Sequence, residues 1–266
     1  TIPPPPILSG LVGSEMCIRD SNNLDPVAIS LFSFEIKWYS LSYIFGIIFG
    51  WMYCKRKIIY NNQIISKYFD DLLTYIILGV VIGGRLGYVL FYNPLYFLKY
   101  PLEIFMVWNG GMSFHGGLIG VVAATYLFSR KKLINQFLFL DAISMASPIG
   151  LFLGRIANFI NSELYGRPAD ILWSVKFIKI DDLYRHPSQI YEAIFEGIIL
   201  FVLLNFAFKK FYLKGPGLIS ALFLIFYSLF RFFIEFTREP DPQIGFIISN
   251  FSLGQVLSMV FFLLGI

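Results

Sequence analysis

Seven apolar stretches separated by short polar and basic segments run along the chain from residue 39 to its end. A helix needs about 20 mostly apolar residues to cross the hydrocarbon core of a bilayer. The pattern therefore predicts an all-α polytopic membrane protein with about seven transmembrane helices. The predicted helices are Tyr39–Tyr53, Leu72–Tyr92, Gly117–Phe128, Phe137–Leu153, Ile190–Phe208, Leu218–Phe236 and Phe251–Ile266.

Two of the segments between the apolar stretches are predicted to form structure other than simple loops. Before the short third stretch, Trp-Asn-Gly-Gly at 108–111 predicts a broken or re-entrant element near residues 104–116. The third helix is short unless it borrows residues from this element. Between the fourth and fifth stretches, residues 161–189 hold several charges with Trp173 and Pro187, and they predict a small extramembrane cap.

The first 22 residues differ from the rest of the chain. They contain four consecutive prolines and show neither a helical period nor a run long enough to cross a bilayer. We therefore expect residues 1–22 to be disordered or foreign to the fold. Residues 23–266 are predicted to form a single transmembrane domain.

Composition excludes the soluble classes. The chain is 57% hydrophobic and 14% charged, whereas a soluble domain is about 45–50% apolar and about 25% charged. The net charge is +4, but most basic residues flank apolar runs, so no nucleic-acid partner is expected. The two cysteines form no C-x-x-C pair, and neither histidine belongs to a ligand cluster, so we expect no metal site.

The distribution of Lys and Arg predicts the orientation in the membrane. Loops after the first, third and fifth helices hold ten basic residues in three short stretches. The opposite loops and the N-terminal lead-in hold eight, spread over more residues. Because basic loops favour the cytoplasmic side, the N-terminus is predicted outside and the C-terminus in the cytoplasm.

Ionisable residues in or beside apolar helices are costly, so they mark candidate sites. Arg85 lies among Gly83, Gly84 and Gly87, where it either belongs to a helix-packing glycine face and pairs with a carboxylate or binds a lipid headgroup. His115 lies between glycines at a predicted helix start, and His is the usual side chain for proton transfer. A lone His is nevertheless more often a hydrogen-bonded structural residue.

The densest polar cluster ends the fourth predicted helix. Arg155, Asn158 and Ser162 are spaced i, i+3 and i+7, so they share a face if this end is helical. An Arg held by amide and carboxylate neighbours can clamp a phosphate through two parallel hydrogen bonds. A structural polar network at the helix end is the alternative.

Two more charged groups follow. Arg185-His186-Pro187-Ser188 opens the fifth helix, where Ser188 fits a helix cap, and Glu192 and Glu196 follow at i, i+4 spacing. In the sixth helix, Arg231, Glu235 and Arg238 form one charged stripe, for which an internal ion pair is the alternative. Together these groups point to binding of an anionic lipid headgroup at the outer leaflet.

The motif set resembles that of the bacterial prolipoprotein diacylglyceryl transferase family over about residues 23–266. Residues 154–166 (GRIANFINSELYG) resemble the family signature. Residues 115–120 (HGGLIG), 186–192 (HPSQIYE) and the 231–238 stripe look like further family motifs in the same order. Asp25-Pro26 and Trp38-Tyr39 match as well.

The resemblance implies a seven-helix enzyme of the bacterial inner membrane. Such an enzyme transfers the diacylglyceryl group of phosphatidylglycerol to the lipobox Cys thiol of a prolipoprotein signal peptide, and glycerol phosphate leaves. The family uses neither a metal nor an organic cofactor. Its nucleophilic sulfur belongs to the substrate, which is consistent with the few cysteines of this chain.

The resemblance also assigns site residues. Arg155 resembles the arginine that binds phosphatidylglycerol, and Arg231 the second essential arginine. Residues needed or important for activity are matched by Tyr39, Asn158, Gly166, His115, Glu163 and Glu192. We therefore expect the catalytic residues to be Tyr39, His115, Arg155, Asn158, Glu163 and Arg231. The expected substrate-binding residues are Arg85, Arg155, Gly166, Glu192, Arg231, Glu235 and Arg238.

A mechanism follows as a hypothesis. Arg155 and Arg231 would offset charge on the departing glycerol phosphate, and His115 is the candidate base for the thiol. Two alternatives remain: a transporter or channel for an anionic solute or lipid, which needs a polar path open to both sides, and a non-catalytic lipid-binding or assembly subunit. Ionisable motifs gather in the outer half, which disfavours the first alternative.

Overall fold

A computed structural model of the chain describes residues 21–31, 34–59, 63–107, 110–211, 215–240, 245–248 and 251–266. This part of the chain is mostly helical. The helices are α1 (Trp38–Tyr53), α2 (Gln63–Phe91), α3 (Pro94–Lys99), α4 (Phe114–Lys132), α5 (Gln136–Ile160), α6 (Ser188–Glu192), α7 (Leu200–Phe211), α8 (Leu218–Ile234) and α9 (Leu253–Gly265). A π-helical turn, Cys54–Ile58, extends α1, another, Ala193–Ile199, joins α6 to α7, and a 3₁₀ turn covers Pro101–Phe105.

Each of the seven predicted helical segments coincides with a helix, but several boundaries differ. The third helix begins at Phe114, three residues before its predicted start, so it takes in residues 114–116 of the predicted broken element, and it also continues four residues beyond its predicted end, to Lys132. Within the predicted broken element, Ile104 and Phe105 belong to the 3₁₀ turn. Residues 108–109 of that element lie outside the described residues.

The fourth helix continues seven residues beyond its predicted end, to Ile160. Arg155 and Asn158 therefore do lie on a helix, as their shared face requires. Ser162 lies beyond the helix end and adopts a left-handed backbone conformation with φ of 58°. The expectation that Ser162 shares their helical face is therefore wrong.

Seven short strands accompany the helices. They are β1 (Ser21–Asn22), β2 (Val27–Leu31), β3 (Phe34–Lys37), β4 (Val175–Phe177), β5 (Tyr184–Arg185), β6 (Phe246–Ile248) and β7 (Phe251–Ser252). β4 pairs in parallel with β1 and antiparallel with β5, while β2–β3 and β6–β7 are antiparallel pairs. The predicted cap region thus consists of loops around a small sheet.

The N-terminal segment is only partly described. Residues 1–20 lie outside the described residues, so the expectation for them stays a prediction. Ser21 and Asn22 pair with Lys176 and Phe177 through β1 and β4, and the Asn22 amide donates to the carbonyl of Phe159. These two residues are therefore part of the fold.

Helix α5 is the central element and contacts α1, α4, α6, α7 and α8. Its buried Phe139, Ala142 and Met145 belong to the apolar core. Its Asp141 carboxylate accepts hydrogen bonds from the backbone N–H groups of Gly217 (2.7 Å) and Ser220 (2.8 Å). Because these donors belong to the first turn of α8 and the residue before it, Asp141 caps α8 and fixes it against α5.

Glycines bring α2 and α4 into close contact. A Cβ added to Gly79 would lie 2.5 Å from the carbonyl oxygen of Gly120, and one on Gly87 would lie 2.7 Å from the Cα of Gly116. Membrane helices associate through such small-residue faces, because lipid removes the hydrophobic drive between them. The glycines around Arg85 therefore form a helix-packing face, which agrees with the first of the two interpretations of this motif.

Large apolar side chains also cover the outside of the molecule, including Leu78, Ile82 and Leu90 on α2 and Val202 and Phe206 on α7. Within the described residues, three helical stretches are long and apolar enough to cross a membrane: Ile65–Phe91, Gln136–Ile160 and Ser188–Phe211. Leu218–Ile234 and Leu253–Gly265 are shorter apolar helices. Exposed apolar faces of this extent are typical of helices in contact with lipid.

Candidate active site

Six charged side chains meet between α5, α6, the π-helical turn and α8. Alternating arginines and glutamates form this buried cluster, which comprises Arg155, Glu192, Glu196, Arg231, Glu235 and Arg238. Helix α5 supplies Arg155, and α8 supplies Arg231 with Glu235 at its C-terminal end. Arg238 lies beyond α8, in an isolated β-bridge with Gly166, so the prediction that these three residues form one helical stripe is wrong. The structure thus brings together residues that are far apart in sequence.

Glu192 is the centre of the cluster. Its Oε2 lies 3.0 Å from Nη1 of Arg155, and its Oε1 bonds to Nη1 of Arg231. Arg238 Nη1 lies 3.7 Å from the same Oε1 atom. One carboxylate therefore orients three guanidinium groups at once, and each arginine is held in a defined geometry.

The two other carboxylates close the cluster on either side. Glu196 Oε2 lies 3.1 Å from Nη2 of Arg155. Glu235 Oε2 lies 2.7 Å from Nη2 of Arg231, and its Oε1 accepts a hydrogen bond of 2.8 Å from the Ser252 hydroxyl. Opposite charges thus alternate from Glu196 to Glu235.

Burial makes these contacts strong. Glu192 and Glu196 are 0% exposed, and Arg231 is 6% exposed. Removing an ion from water costs several kcal/mol, so buried charges persist only where they are paired. The Nε atom of Arg155 is buried without a hydrogen-bond partner among the described residues. Arg155 therefore retains a donor that an anionic ligand could use.

The π-helical turn Ala193–Ile199 places the two glutamates. Such wide turns interrupt α-helices at functional sites more often than elsewhere. Glu192 ends α6 and Glu196 lies within the turn, and both side chains point towards Arg155. Gly197 allows this turn to approach α5, because an added Cβ would lie 2.7 Å from the Cβ of Phe152.

A second polar group lies beside Arg155. The Asn158 amide donates to Oε2 of Glu163 at 3.2 Å, and Asn161 donates to Oε1 of the same carboxylate at 3.4 Å. The Tyr39 hydroxyl bonds to that of Tyr43 at 3.0 Å, and its ring lies within electrostatic range of Glu163 and Arg155. Four predicted site residues therefore share one region at the ends of α1 and α5.

His115 lies in the first turn of α4. Its ring stacks on Phe261 of α9, with centroids 5.7 Å apart. The charges of Arg231, Glu235 and Arg155 all act on the imidazole. Ser113 fixes this helix start by accepting a hydrogen bond from the N–H of Gly116 at 3.2 Å. The structure thus places His115 beside the buried cluster.

Gly166 is a point of close backbone contact. Its N–H donates to the carbonyl of His186 at 3.1 Å, and it pairs with Arg238 in an isolated β-bridge. An added Cβ would lie 2.8 Å from the carbonyl oxygen of Thr237. Glycine is therefore required where residues 161–187 meet the segment that carries Arg238.

Arg85 lies apart from the cluster. Its guanidinium donates to the backbone carbonyls of Glu103 (2.6 Å), Ile104 (3.0 Å), Gly110 and Gly111 (3.2 Å). These bonds tie Arg85 to the 3₁₀ turn Pro101–Phe105 and to the two glycines that precede α4. The structure therefore supports a structural role for Arg85, with backbone carbonyls as its partners instead of the carboxylate that the sequence suggested.

The region 161–187 is held together by Arg185. Its guanidinium donates to both carboxylate oxygens of Asp181, to Glu239 and to the carbonyl of Gly166. The hydrogen bond from Arg185 lowers the pKa of Asp181. Burial lowers the pKa of His186, whose Nδ1 lies 3.3 Å from the Tyr191 hydroxyl.

Sequence reasoning left Glu196, Ser252 and Gly254 out of the predicted site. Glu196 had a usable signal, since it lies four residues after Glu192 in an apolar helix. Ser252 and Gly254 had none, because they reach Glu235 only through the packing of α9 on α8.

Known proteins resemble this chain over almost its whole length. A family described as Prolipoprotein diacylglyceryl transferase matches residues 26–266. The phosphatidylglycerol–prolipoprotein diacylglyceryl transferase of Rickettsia typhi (strain ATCC VR-144 / Wilmington) is 51% identical over 91% of this chain and 95% of its own length. The enzyme of the same name from Rickettsia bellii (strain OSU 85-389) is 50% identical over 92% of this chain and 94% of its own. The chain therefore belongs to the prolipoprotein diacylglyceryl transferase family.

Proposed function

We propose that this chain transfers the diacylglyceryl group of phosphatidylglycerol to the lipobox Cys thiol of a prolipoprotein signal peptide, and that glycerol phosphate is released. The observation that carries the proposal is the buried arginine–glutamate cluster beside His115, in a chain of this family. Oriented guanidinium groups in a water-poor site suit a phosphodiester. The family resemblance implies that this chemistry needs neither a metal nor an organic cofactor.

The membrane arrangement belongs to the same proposal. The seven helices α1, α2, α4, α5, the α6–α7 unit, α8 and α9 cross the bacterial inner membrane. The N-terminus lies outside, the C-terminus lies in the cytoplasm, and the segment before α4 re-enters the membrane. Residues 161–189 form the cap outside. The exposed apolar faces and the density of basic residues in alternate loops support this arrangement.

Binding and bond cleavage use the same charges. Arg155 and Arg231 hold the phosphate, and Glu192, Glu235 and Arg238 keep those arginines in place. The thiolate attacks the glyceryl carbon, the C–O bond to phosphate breaks, and a second negative charge develops on the departing phosphate. Guanidinium groups already oriented towards that oxygen stabilise the transition state without reorganising.

The substrate thiol must lose its proton to react, because a free thiol has a pKa of about 8.5 and is mostly protonated at neutral pH. His115 is positioned to take it, because its ring lies beside the cluster at the start of α4. Tyr39, Asn158 and Glu163 complete the substrate-facing side next to Arg155. Gly166 keeps residues 161–187 close to the segment that carries Arg238.

The test is transfer by the purified chain in phosphatidylglycerol nanodiscs, with a synthetic lipobox peptide analysed by mass spectrometry. We expect the peptide Cys to gain one diacylglyceryl group, and Arg155→Ala to abolish the gain. Arg130→Ala is the matched control, because Arg130 lies in the last turn of α4 and contacts the Tyr126 ring rather than the cluster.

Absence of the mass gain with folded wild-type protein would refute the proposal. Anion flux through proteoliposomes would then favour the transporter alternative. Retained transfer by Arg155→Ala would show that the cluster is not the site, even if the chain is a transferase. If His115→Gln keeps full turnover at neutral pH, the base is another group.

A further inference from the structure

The buried cluster has no spare positive charge for an anionic substrate. Three arginines face three glutamates, so the cluster is neutral when all six groups are ionised. A phosphodiester brings one further negative charge. An uncompensated charge in a water-poor site is costly. Binding therefore requires either that a carboxylate moves away or that one of the three takes up a proton.

The three carboxylates are not equally compensated. Glu192 contacts guanidinium groups with both oxygens, and Glu235 contacts Arg231 with one oxygen and the Ser252 hydroxyl with the other. Glu196 contacts Arg155 through Oε2 only. Among the described residues, one oxygen of each glutamate is buried without a hydrogen-bond partner: Oε2 of Glu192, Oε2 of Glu235 and Oε1 of Glu196. The first two nevertheless lie 3.0 Å and 2.7 Å from a guanidinium nitrogen, whereas Glu196 Oε1 lies 3.9 Å from Nη1 of Arg231. Glu196 is therefore the carboxylate with the least support for its charge.

The surroundings of Glu196 favour the same site for a proton. Arg155 reaches it from α5, Tyr227 and Arg231 from α8, and Glu192 from α6. The charge of Glu192 opposes that of Glu196, and Glu196 is wholly buried. Helix α7 adds no nearby charge, because the next ionisable residue along the chain after Glu196 is Lys209, more than three helical turns away.

We propose that Glu196 takes up one proton from water when the phosphodiester headgroup binds, and releases it when the charged product leaves. An O–H bond forms on the Glu196 carboxylate, and its ion pair with Arg155 becomes a hydrogen bond between the guanidinium cation and a neutral carboxyl group. Three arginines then face two carboxylates and one phosphate. Glu196 does not touch the substrate; it is a positioning residue that acts through Arg155. This inference rests on the proposed function.

The experiment measures proton uptake directly. Dioctanoyl phosphatidylglycerol is titrated into the detergent-solubilised full chain by calorimetry in two buffers of different ionisation enthalpy. We expect about one proton per bound headgroup for wild type and about none for Glu196→Gln, which is neutral at every pH. Asp182→Asn is the matched control, because it removes a carboxylate that is 97% exposed outside the cluster. Dioctanoylglycerol, which lacks phosphate, should bind without proton uptake.

A pH series gives a second readout. For wild type, the KM for phosphatidylglycerol should rise by up to tenfold per pH unit above the free-state titration of Glu196, because each headgroup requires a proton. For Glu196→Gln the KM should stay flat over the same range, while kcat of both proteins should change with pH in the same way, because the thiol must still lose its proton. Glu196→Asp keeps a titratable group, so it should retain uptake with a displaced pH midpoint.

The outcomes separate this inference from the proposed function. Headgroup binding without proton uptake by wild type, or equal uptake by Glu196→Gln, would overturn the role of Glu196. The latter result would direct attention to His115. If Glu196→Gln does not fold, Glu196→Asp provides the test: a pH midpoint of proton uptake equal to that of wild type would overturn the role of Glu196. Failure of wild type to bind phosphatidylglycerol would refute the proposed function itself.

Discussion

Glu192 should be essential for the stability of the helix bundle as well as for activity. Its carboxylate is 0% exposed and contacts Arg155 at 3.0 Å, Arg231 and Arg238. At an effective dielectric constant of about 20, the attraction to Arg155 alone is about 5–6 kcal/mol before desolvation is subtracted. Removing one partner of a buried pair costs about 3–5 kcal/mol, because the remaining charges stay buried without compensation. We expect that loss for Glu192→Met.

The structure also predicts a partial rescue. Glu192→Met combined with Arg155→Met leaves Arg231 and Arg238 facing Glu196 and Glu235, so the cluster is again neutral. Neighbouring residues in one network couple by about 0.5–3 kcal/mol. The double variant should therefore be less destabilised than the sum of the two single variants, although it should not transfer lipid.

Reversible unfolding in mixed dodecylmaltoside–SDS micelles, followed by tryptophan fluorescence, measures these free energies of unfolding. Asp182→Asn is the control, because its partner Lys176 is also outside the buried cluster, and its free energy should stay close to that of wild type. Two results would refute the reasoning: a loss below about 1 kcal/mol for Glu192→Met, or strict additivity in the double variant.

Two further predictions concern residues outside the buried cluster. Gly79→Ala should destabilise the α2–α4 pair by about 1–3 kcal/mol, because its Cβ would lie 2.5 Å from the carbonyl oxygen of Gly120. Gly150→Ala is the control: its Cβ would meet nothing within 4 Å, so its free energy of unfolding in the same assay should stay close to that of wild type. Burial lowers the pKa of His186 below its usual 6.5. As the pH falls, the imidazole is therefore protonated in the unfolded chain before it is protonated in the folded chain. The free energy of unfolding should fall as pH drops below about 6.5 and level off once the folded imidazole is protonated as well. Thermal unfolding between pH 8 and 5 should show a larger loss of stability in wild type than in His186→Gln, and identical pH profiles would contradict the prediction.

The membrane-spanning character and the positions of the helices follow from local sequence. Apolar runs near the length of a bilayer core specify helices because every backbone polar group must be satisfied within lipid. Capping was harder to predict: Ser188, the predicted cap, lies inside α6 and its hydroxyl donates to the carbonyl of Leu164, whereas Ser252 and Gln255 form a capping box at the start of α9. Exact boundaries were harder: α5 continues through Arg155, because partners on α6 and the π-helical turn compensate its charge.

In the candidate site as well, some features could be predicted from local sequence and others could not. Sequence motifs indicated Arg155, Glu192 and Arg231, since charges within apolar helices need a reason to be there. The pattern could not assign their partners. Arg85 shows the difficulty: its four backbone carbonyl acceptors come from residues 103–111 and leave no signal in side-chain chemistry.

The sequence by itself determined that the chain is a helical membrane protein of this family, because hydropathy and motif order are properties of the linear chain. Only the tertiary structure decided which carboxylate faces which guanidinium. It showed that Glu192 orients three arginines, that Glu196 is the carboxylate whose second oxygen lies farthest from a guanidinium group, and that the cluster is neutral before substrate binds. The physical reason is that Coulomb energy depends on distance and burial, and both are set by helices that meet only after the chain has folded.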